Sequence, residues 1–543
     1  MTEARMASPW ARVVSAVLLG AVISSPALGA HAGQDTAMRE FQKTLPFASG
    51  QTLSVESKFG EIRIHGSGSH EAAISATIHS QAPSQSEAEK FAEAVRIDVQ
   101  QDAHGISVHT IVPPENPLVF RIGRKNSYSV DYDISVPEDA KLWVKNAFGN
   151  VEIRGVHGWN DLETSHGQLS VRDGGSARLA NSFGSIEADE LSGDLSVTNN
   201  NGTITVSTVK GALDLKDRFG SISVRNVAGA VTISGGNGPV ELTDAGSAKV
   251  NNSFGSVNVR NIHGFLVVTN SNGSIDVNTV SGSADLTGSF GSITFANMGG
   301  YVKCNASNGR VTGGPTADEV YVHTTFGDVS LEQISGAVEV DDSNGGISVQ
   351  EVKGKSTLNT SFGAIEASGL RKGVRATTGN GRISLTDVGG DTYAKTSFGA
   401  VTVERVNGNL KIENSNGPVT ANSVKGDATA RTSFGSVTLD NIAGIITVEN
   451  QNGSVLIGAA RTSSVCKNIT VKTSFAPIQV RLPEDAGYNL TAHTSFGRIS
   501  SDLPVTSSGQ LGGDSLNGKV GNGGCALSLT NSNGSIEILK FSK

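Results

Sequence analysis

The sequence predicts an all-β fold, a single-stranded β-solenoid (β-helix) wound from 18-residue coils that pair into 36-residue repeats, with aperiodic caps at both ends. Three observations predict it. A Phe-Gly pair recurs every 35 or 36 residues from Phe148-Gly149 to Phe434-Gly435, and a second pair, usually Asn-Gly, sits midway between. Apolar and polar residues alternate between these anchors, which is strand period, and no part of the repeat has helical spacing. The composition agrees: 66 glycines and 37% hydrophobic residues in 543 suit a thin structure whose layers are completed by their neighbours.

Eighteen anchor glycines run from Gly149 to Gly453, 18 residues apart with two steps of 17. After Gly255 the unit reads Ser256-Val257-Asn258-Val259-Arg260-Asn261-Ile262-His263-Gly264, then a second alternating stretch to Gly273. A second glycine nine residues after most anchors is read as the other corner, where a positive φ costs nothing without a Cβ. Two strands and two corners per 18 residues make a solenoid coil. The cross-section is left open between flat and triangular, because the position of Ile262 is suited to start a short third side. A propeller blade needs four hairpin-linked strands in about 40 residues, and identity at half that period argues against it. With ~4.8 Å between stacked strands, the coils give a rod of about 80 Å.

Residues 1–32 read as a secretory signal peptide: Arg5 and Arg12, then the apolar run Val13 to Ile23, then Ala30-His31-Ala32 as a cleavage site. That run is short of the ~20 residues a membrane span requires, and nothing later is apolar enough to span. Export places the protein in the periplasm, the outer envelope or the medium. Residues 33–145 form a β-rich N-terminal cap with strands at Thr52 to Val55, Glu61 to Ile64 and Tyr128 to Val136. Its one helix is expected to start at Ser86 with Glu89 as capping box, burying Ala88, Phe91, Ala92 and Val95. Residues 146–460 are the repeat region. Residues 461–543 are irregular coils and a cap, with a Gly/Ser-rich loop over 507–524.

A net charge of −8 with scattered lysines and arginines leaves no footprint for nucleic acid. Three cysteines exclude a disulfide framework, and Cys304 reads as a small core residue. Cys466 and Cys525 fall at least two coils apart in the repeat, beyond the ~7 Å Cα limit of a disulfide. Only a folded-back terminal loop would bring them together. No cofactor or metal is expected. His65, His70 and His79 are the sole local histidine group, and no cysteine joins them.

The chain resembles the bacterial "putative adhesin" family of exported β-strand-repeat proteins. The likeness lies in Phe59-Gly60-Glu61-Ile62-Arg63-Ile64, in Tyr132-Asp133-Ile134-Ser135-Val136-Pro137, in the Phe-Gly/Asn-Gly coils, and in Ser495-Phe496-Gly497-Arg498-Ile499 through Pro504. It implies a solenoid on an exported or envelope-associated protein and carries over no catalytic residue.

The feature singled out is the slot before each anchor. It reads Phe148, Phe183, Asn201, Phe219, Asn237, Phe254, Asn272, Phe290, Asn308, Phe326, Asn344, Phe362, Asn380, Phe398, Asn416, Phe434 and Asn452, with His166 in the first Asn place. Twelve of the 19 phenylalanines occupy this slot. Strand parity with Val250 and Ala248 puts Phe254 at a core-facing corner, so the ladder is expected to be structural. Exposed rings would instead make it a binding stripe for sugars or protein. Stacked outward positions such as Lys216, His323, Asp341, Lys395 and Glu413 show no dominant sign. The pair Glu187 and Asp189 is the nearest approach to the carboxylates of a glycan-cleaving β-helix. The expectation is a non-enzymatic envelope or cell-surface rod, with a surface glycan or an envelope protein as partner. The alternatives are a polysaccharide lyase or hydrolase and a scaffold polymerising end to end.

Overall fold

Alternation along the strand decides what each coil buries. In one coil Ile186, Ala188, Leu191, Leu195, Val197 and Asn199 are buried, and Glu187, Ser196 and Thr198 between them face out. Coils of this kind bury their apolar halves by stacking. The computed structural model, which describes residues 35–112, 126–460, 466–507 and 513–541, is accordingly a β-solenoid. Each coil gives one strand to each of two faces. On one face Ile186–Leu191 pairs in parallel with Leu169–Gly174 and with Ile204–Val209. On the other, Leu195–Asn201 pairs with Ala177–Phe183 and Leu213–Phe219. But for an irregularity between Leu439 and Ile442, register holds from coil to coil, so like residues form columns: Ile186 lies beside Ile204, and Ile204 beside Ile222. Cys304 stands in such a column between Leu286 and Val322, and burial pushes its thiol up to about 12.

No separate third side exists in the coil of Ile262. Six residues after the anchor the backbone turns left-handed, with φ of 56° at Glu190, 54° at Thr208 and 55° at Asn261. That kink rotates the next side chain inward, so Leu191, Val209 and Ile262 are buried while their strands stay on the same face. The expected place of the left-handed residue is therefore corrected. It is not the glycine nine after the anchor but a residue three earlier, most often Asn, Asp, Thr or Glu. The later glycine answers close packing: a Cβ on Gly229 would lie 2.5 Å from the Gly211 carbonyl oxygen.

The N-terminal segment contributes a coil of its own. Thr52–Phe59 pairs with Lys141–Phe148, and Ile62–Ser67 with Val151–Arg154, so one coil is laid down before residues 68–140 make an excursion. In that excursion Glu71–Ala82 pairs antiparallel with both Asp35–Pro46 and Ser127–Pro137. The helix is Gln85–Ala94, capped by Ser84, which is extended with φ of −144° and whose side-chain oxygen accepts from the Glu87 backbone N–H. Ser86 thus lies inside the first turn and is not the cap. Glu89 accepts instead from the Gln85 amide at 2.9 Å. Ala88, Ala92 and Val95 are buried as expected, whereas Phe91 is only partly so. The segment read as a signal peptide lies outside the described residues. No helix among the described residues is long and apolar enough to cross a membrane.

The C-terminal end departs from chain order. Ile469–Lys472 pairs with Cys525–Asn531, and Cys525–Asn531 pairs on its other edge with Tyr488–Thr494. The last coil is therefore threaded back between the two that precede it in sequence. This corrects the spacing argument against a disulfide, which took spatial order from chain order. Cys466 and Cys525 lie on neighbouring coils and are bonded, with Cα atoms 5.8 Å apart. The expected loop over 507–524 also contains a strand, Ser515–Val520, antiparallel to Tyr488–Thr494.

Candidate functional site

The slot before each anchor faces solvent. Strict alternation would send Phe254 inward with Asn252, yet Phe254 is 52% exposed, and the nine ladder rings from Phe148 to Phe434 span 42–63%. The core-facing expectation is overturned, and the reason lies at the corner. Asn252 is buried there, and its side-chain amide donates to the carbonyls of Gly238 at 3.1 Å and Phe254 at 3.2 Å. With the inner corner filled by that amide, the chain turns and the ring stays outside.

Reading the sequence for the Phe/Asn slot missed this inner column, three residues before each anchor. It is filled by Asn146, Asn181, Asn199, Asn270, Asn414 and Asn450 in some coils and by Thr360, Thr378 and Thr396 in others. Asn450 donates to the carbonyls of Gly435 and Gly453, each at 2.9 Å, and Thr378 donates to that of Gly363 at 3.0 Å. The signal was present in the recurring strings Asn-Ser-Phe-Gly and Thr-Ser-Phe-Gly. Buried backbone carbonyls need donors, and only a short polar side chain at that position supplies one.

Asp217 breaks the column's chemistry. It is 7% exposed, one carboxylate oxygen has no partner, and burial pushes its pKa up to about 6. Asn199 in the preceding coil donates to the anchor carbonyls, which a carboxylate cannot do. Because the folded pKa lies above the unfolded one, the penalty is absent below pH ~4, grows as pH rises towards 6, and is constant above. Asp217→Asn should stabilise the coil by about 1–3 kcal/mol at pH 7–8 and by nothing near pH 4. Denaturant unfolding followed by amide exchange over residues 200–235 measures this. An equal gain at both pH values would refute the cause.

On the outside, the ladder is a ridge of ring walls and amide floors. Asn272 donates to the carbonyl of Ser253 at 3.2 Å, Asn344 to that of Thr325 at 2.9 Å, and Asn416 to that of Ser397 at 3.0 Å. Each amide is thereby pinned back across the corner onto the coil before it. The rings stand across the rod axis where their stacking is direct. Phe59 on Phe148, Phe148 on His166 and His166 on Phe183 have centroids 5.2, 4.6 and 4.9 Å apart, with planes within 20°. Along that stretch, from Phe59 to Phe183, ring edges and not faces therefore meet solvent. The alternation also outlasts the chain order. Threading puts Asn533 between Phe475 and Phe496, so the ridge ends Phe-Asn-Phe although these residues are not sequential.

The other constellations are dispersed. Glu187 and Asp189 do share the outer face, but Asp189 lies 3.7 Å from Arg172 and receives the Ser207 hydroxyl, and no carboxylate stands beside either on the adjoining coils. His65 and His79 face Asp133 at 3.4 Å and Asp131 at 3.3 Å. The outward charges pair between coils, as in Arg431–Glu449 at 3.0 Å and Lys395–Glu413 at 3.9 Å. The opposite corner carries a groove of about 1250 Å³ lined by both signs of charge, among them Glu351, Lys353, Arg371 and the Arg405–Asp387 pair.

Residues 50–313 match the model of the Toastrack DUF4097 family. The resemblance to an adhesin-like β-solenoid family holds. The Toastrack stretch takes in the first coil, the N-terminal excursion and the coils up to Gly313. No protein of curated function matches the chain. A solved structure, a "putative cell adhesion protein" from Clostridium sporogenes, aligns with 36% of this chain and 100% of its own at 10% identity and a TM-score of 0.20. A likeness that loose carries no argument.

Proposed function

We propose that the chain is a non-enzymatic, exported rod that binds at the cell envelope or cell surface through its Phe/Asn ridge. One observation carries this: the ladder rings are exposed along the whole solenoid, when a monomer would ordinarily bury them. The cross-linked cysteines support an oxidising compartment. The absence of paired catalytic carboxylates beside Glu187 and Asp189 supports a binding role over glycan cleavage. End-to-end polymerisation is less favoured, since antiparallel strands such as Asp35–Pro46 and Ser515–Val520 divert both ends from in-register stacking.

The test is binding of the purified chain to bacterial surfaces, glycan arrays and envelope protein, beside a variant with Phe254→Ser, Phe290→Ser, Phe326→Ser and Phe362→Ser. The substituted side chains are already exposed, so folding should be kept, while binding should fall about 100-fold or more as several aromatic anchors are lost. Equal binding by both proteins would remove the ridge from the function. Turnover of a polysaccharide that Asp189→Asn abolishes would restore the enzyme reading.

A further inference from the structure

We propose that the ridge's occupant is a second copy of this chain, the two rods lying side by side with the rings of each inserted into the amide-floored slots of the other. The proposal rests on the reading of the ridge as a binding surface and names its partner. Three observations carry it.

The first is period. Ring walls recur every second coil, ~9.6 Å apart at the strand spacing, with a floor of Asn between. A second copy is a partner whose own rings recur at that same interval. Shifted by one coil, its rings from Phe183 to Phe434 meet the Asn floors from Asn201 to Asn452, and this fit repeats along the rod whether the copies run parallel or antiparallel.

The second is fit. The molecule already fills one slot with a ring of its own. His166 occupies an Asn place and stacks between Phe148 and Phe183 with centroids 4.6 and 4.9 Å away. A slot two coils wide thus accepts one aromatic ring at stacking distance on both sides. Around that slot the stacked rings present their edges to solvent, so a partner ring enters by insertion between walls, and a sugar lying flat over that part of the ridge would meet ring edges and no ring face.

The third is area. Nine rings, each about half exposed, leave ~1,000 Å² of aromatic surface on one copy, taking 150–250 Å² per ring. A stable interface needs about 800 Å² from each partner. On the outer strand positions flanking the ridge, Lys395–Glu413 and Arg431–Glu449 are already paired within the chain, so close approach of a like surface meets little unpaired charge there.

Sedimentation of the purified chain over a concentration series tests this with two variants. One carries the four Phe→Ser changes given above. The other fills the floors with Asn272→Phe, Asn308→Phe and Asn344→Phe, which adds aromatic surface while closing the slots. Insertion predicts a dimer for the native chain and weakening of about 100-fold by the serine variant. It also predicts that the slot-filled variant dimerises at least about tenfold more weakly than the native chain. Non-specific apolar association predicts the reverse for the slot-filled variant, and that result overturns the proposal. So does a native chain that stays monomeric at ~100 µM, well above the range of an interface this size. Near-native β circular dichroism in each variant separates misfolding from lost pairing. A monomer that still binds glycan or envelope protein through the ridge overturns pairing but leaves the proposed function standing. A dimer that binds neither leaves pairing and removes the adhesive reading.

Discussion

Gly184→Ala should divide the rod into two separately unfolding blocks, at a cost of about 4 kcal/mol or more at that one junction. Gly184 has φ of 138°, a region L-residues rarely enter, and a Cβ there would fall on the carbonyl oxygen of Gly167 in the coil before. Backbone cannot yield as the tip of a side chain can. The same corner carries the bonds that join three coils, from the Gly184 amide to the Asn201 carbonyl at 2.9 Å and from the Gly167 amide to the Phe183 carbonyl at 3.0 Å. In a solenoid each coil is held only by its neighbours, so a broken junction is not shared out along the rod. Amide exchange should show protection lost over residues 165–205 while distant coils keep theirs, and limited proteolysis should cut near the same corner. Gly68→Ala is the control, since a Cβ at Gly68 meets nothing within 4 Å. If the two variants unfold alike, the anchor glycines are not what holds the coils in contact.

The anchor column also shows how much of this fold is legible in one sequence. Period, strand alternation and the two-coil repeat can be read because each coil faces the same packing problem and solves it with the same residue types. Gly381 makes the reason for the glycine plainer than Gly184 does. It lacks a left-handed φ, yet a Cβ would still strike the Gly363 carbonyl, so close approach is the common requirement and backbone freedom an addition to it. What alternation cannot deliver is the direction of a side chain at a corner. Phe254 has the parity of a core residue and is excluded by Asn252, a buried amide needed by backbone carbonyls. The left-handed kink at Asn261 is hidden for a similar reason: asparagine is a residue suited to it but not unique to it. The site followed from these two corners, so its residues were legible and their exposure was not. Strand order at the C-terminal end was the other loss, because adjacency in a solenoid is inferred from sequence and Cys525–Asn531 inserts out of turn.

That insertion gives the disulfide its expected effect. Reducing Cys466–Cys525, or replacing both by alanine, should destabilise the final coil by about 4 kcal/mol, the loop-closure entropy released for a crosslink of this span. The chain between the cysteines, a sequence separation of 59, includes both strands that flank the inserted one, so the crosslink fixes which coils are neighbours. Without it, Cys525–Asn531 and Ile536–Lys540 are held between their neighbours by strand pairing and core burial alone. Amide exchange with and without reductant should show protection falling over residues 525–540 and the adjoining Tyr488–Thr494. The coils before Gly453 should be unaffected, since nearest-neighbour coupling dies out within a few coils. Equal protection in both states would mean that pairing alone defines this end. The ridge makes the consequence functional: when the inserted coil leaves, Asn533 goes with it, and Phe496 loses its connection to Phe475. Reduction should therefore shorten the ridge from one end without altering a residue of it, removing the terminal slots while the central rings from Phe183 to Phe434 keep theirs.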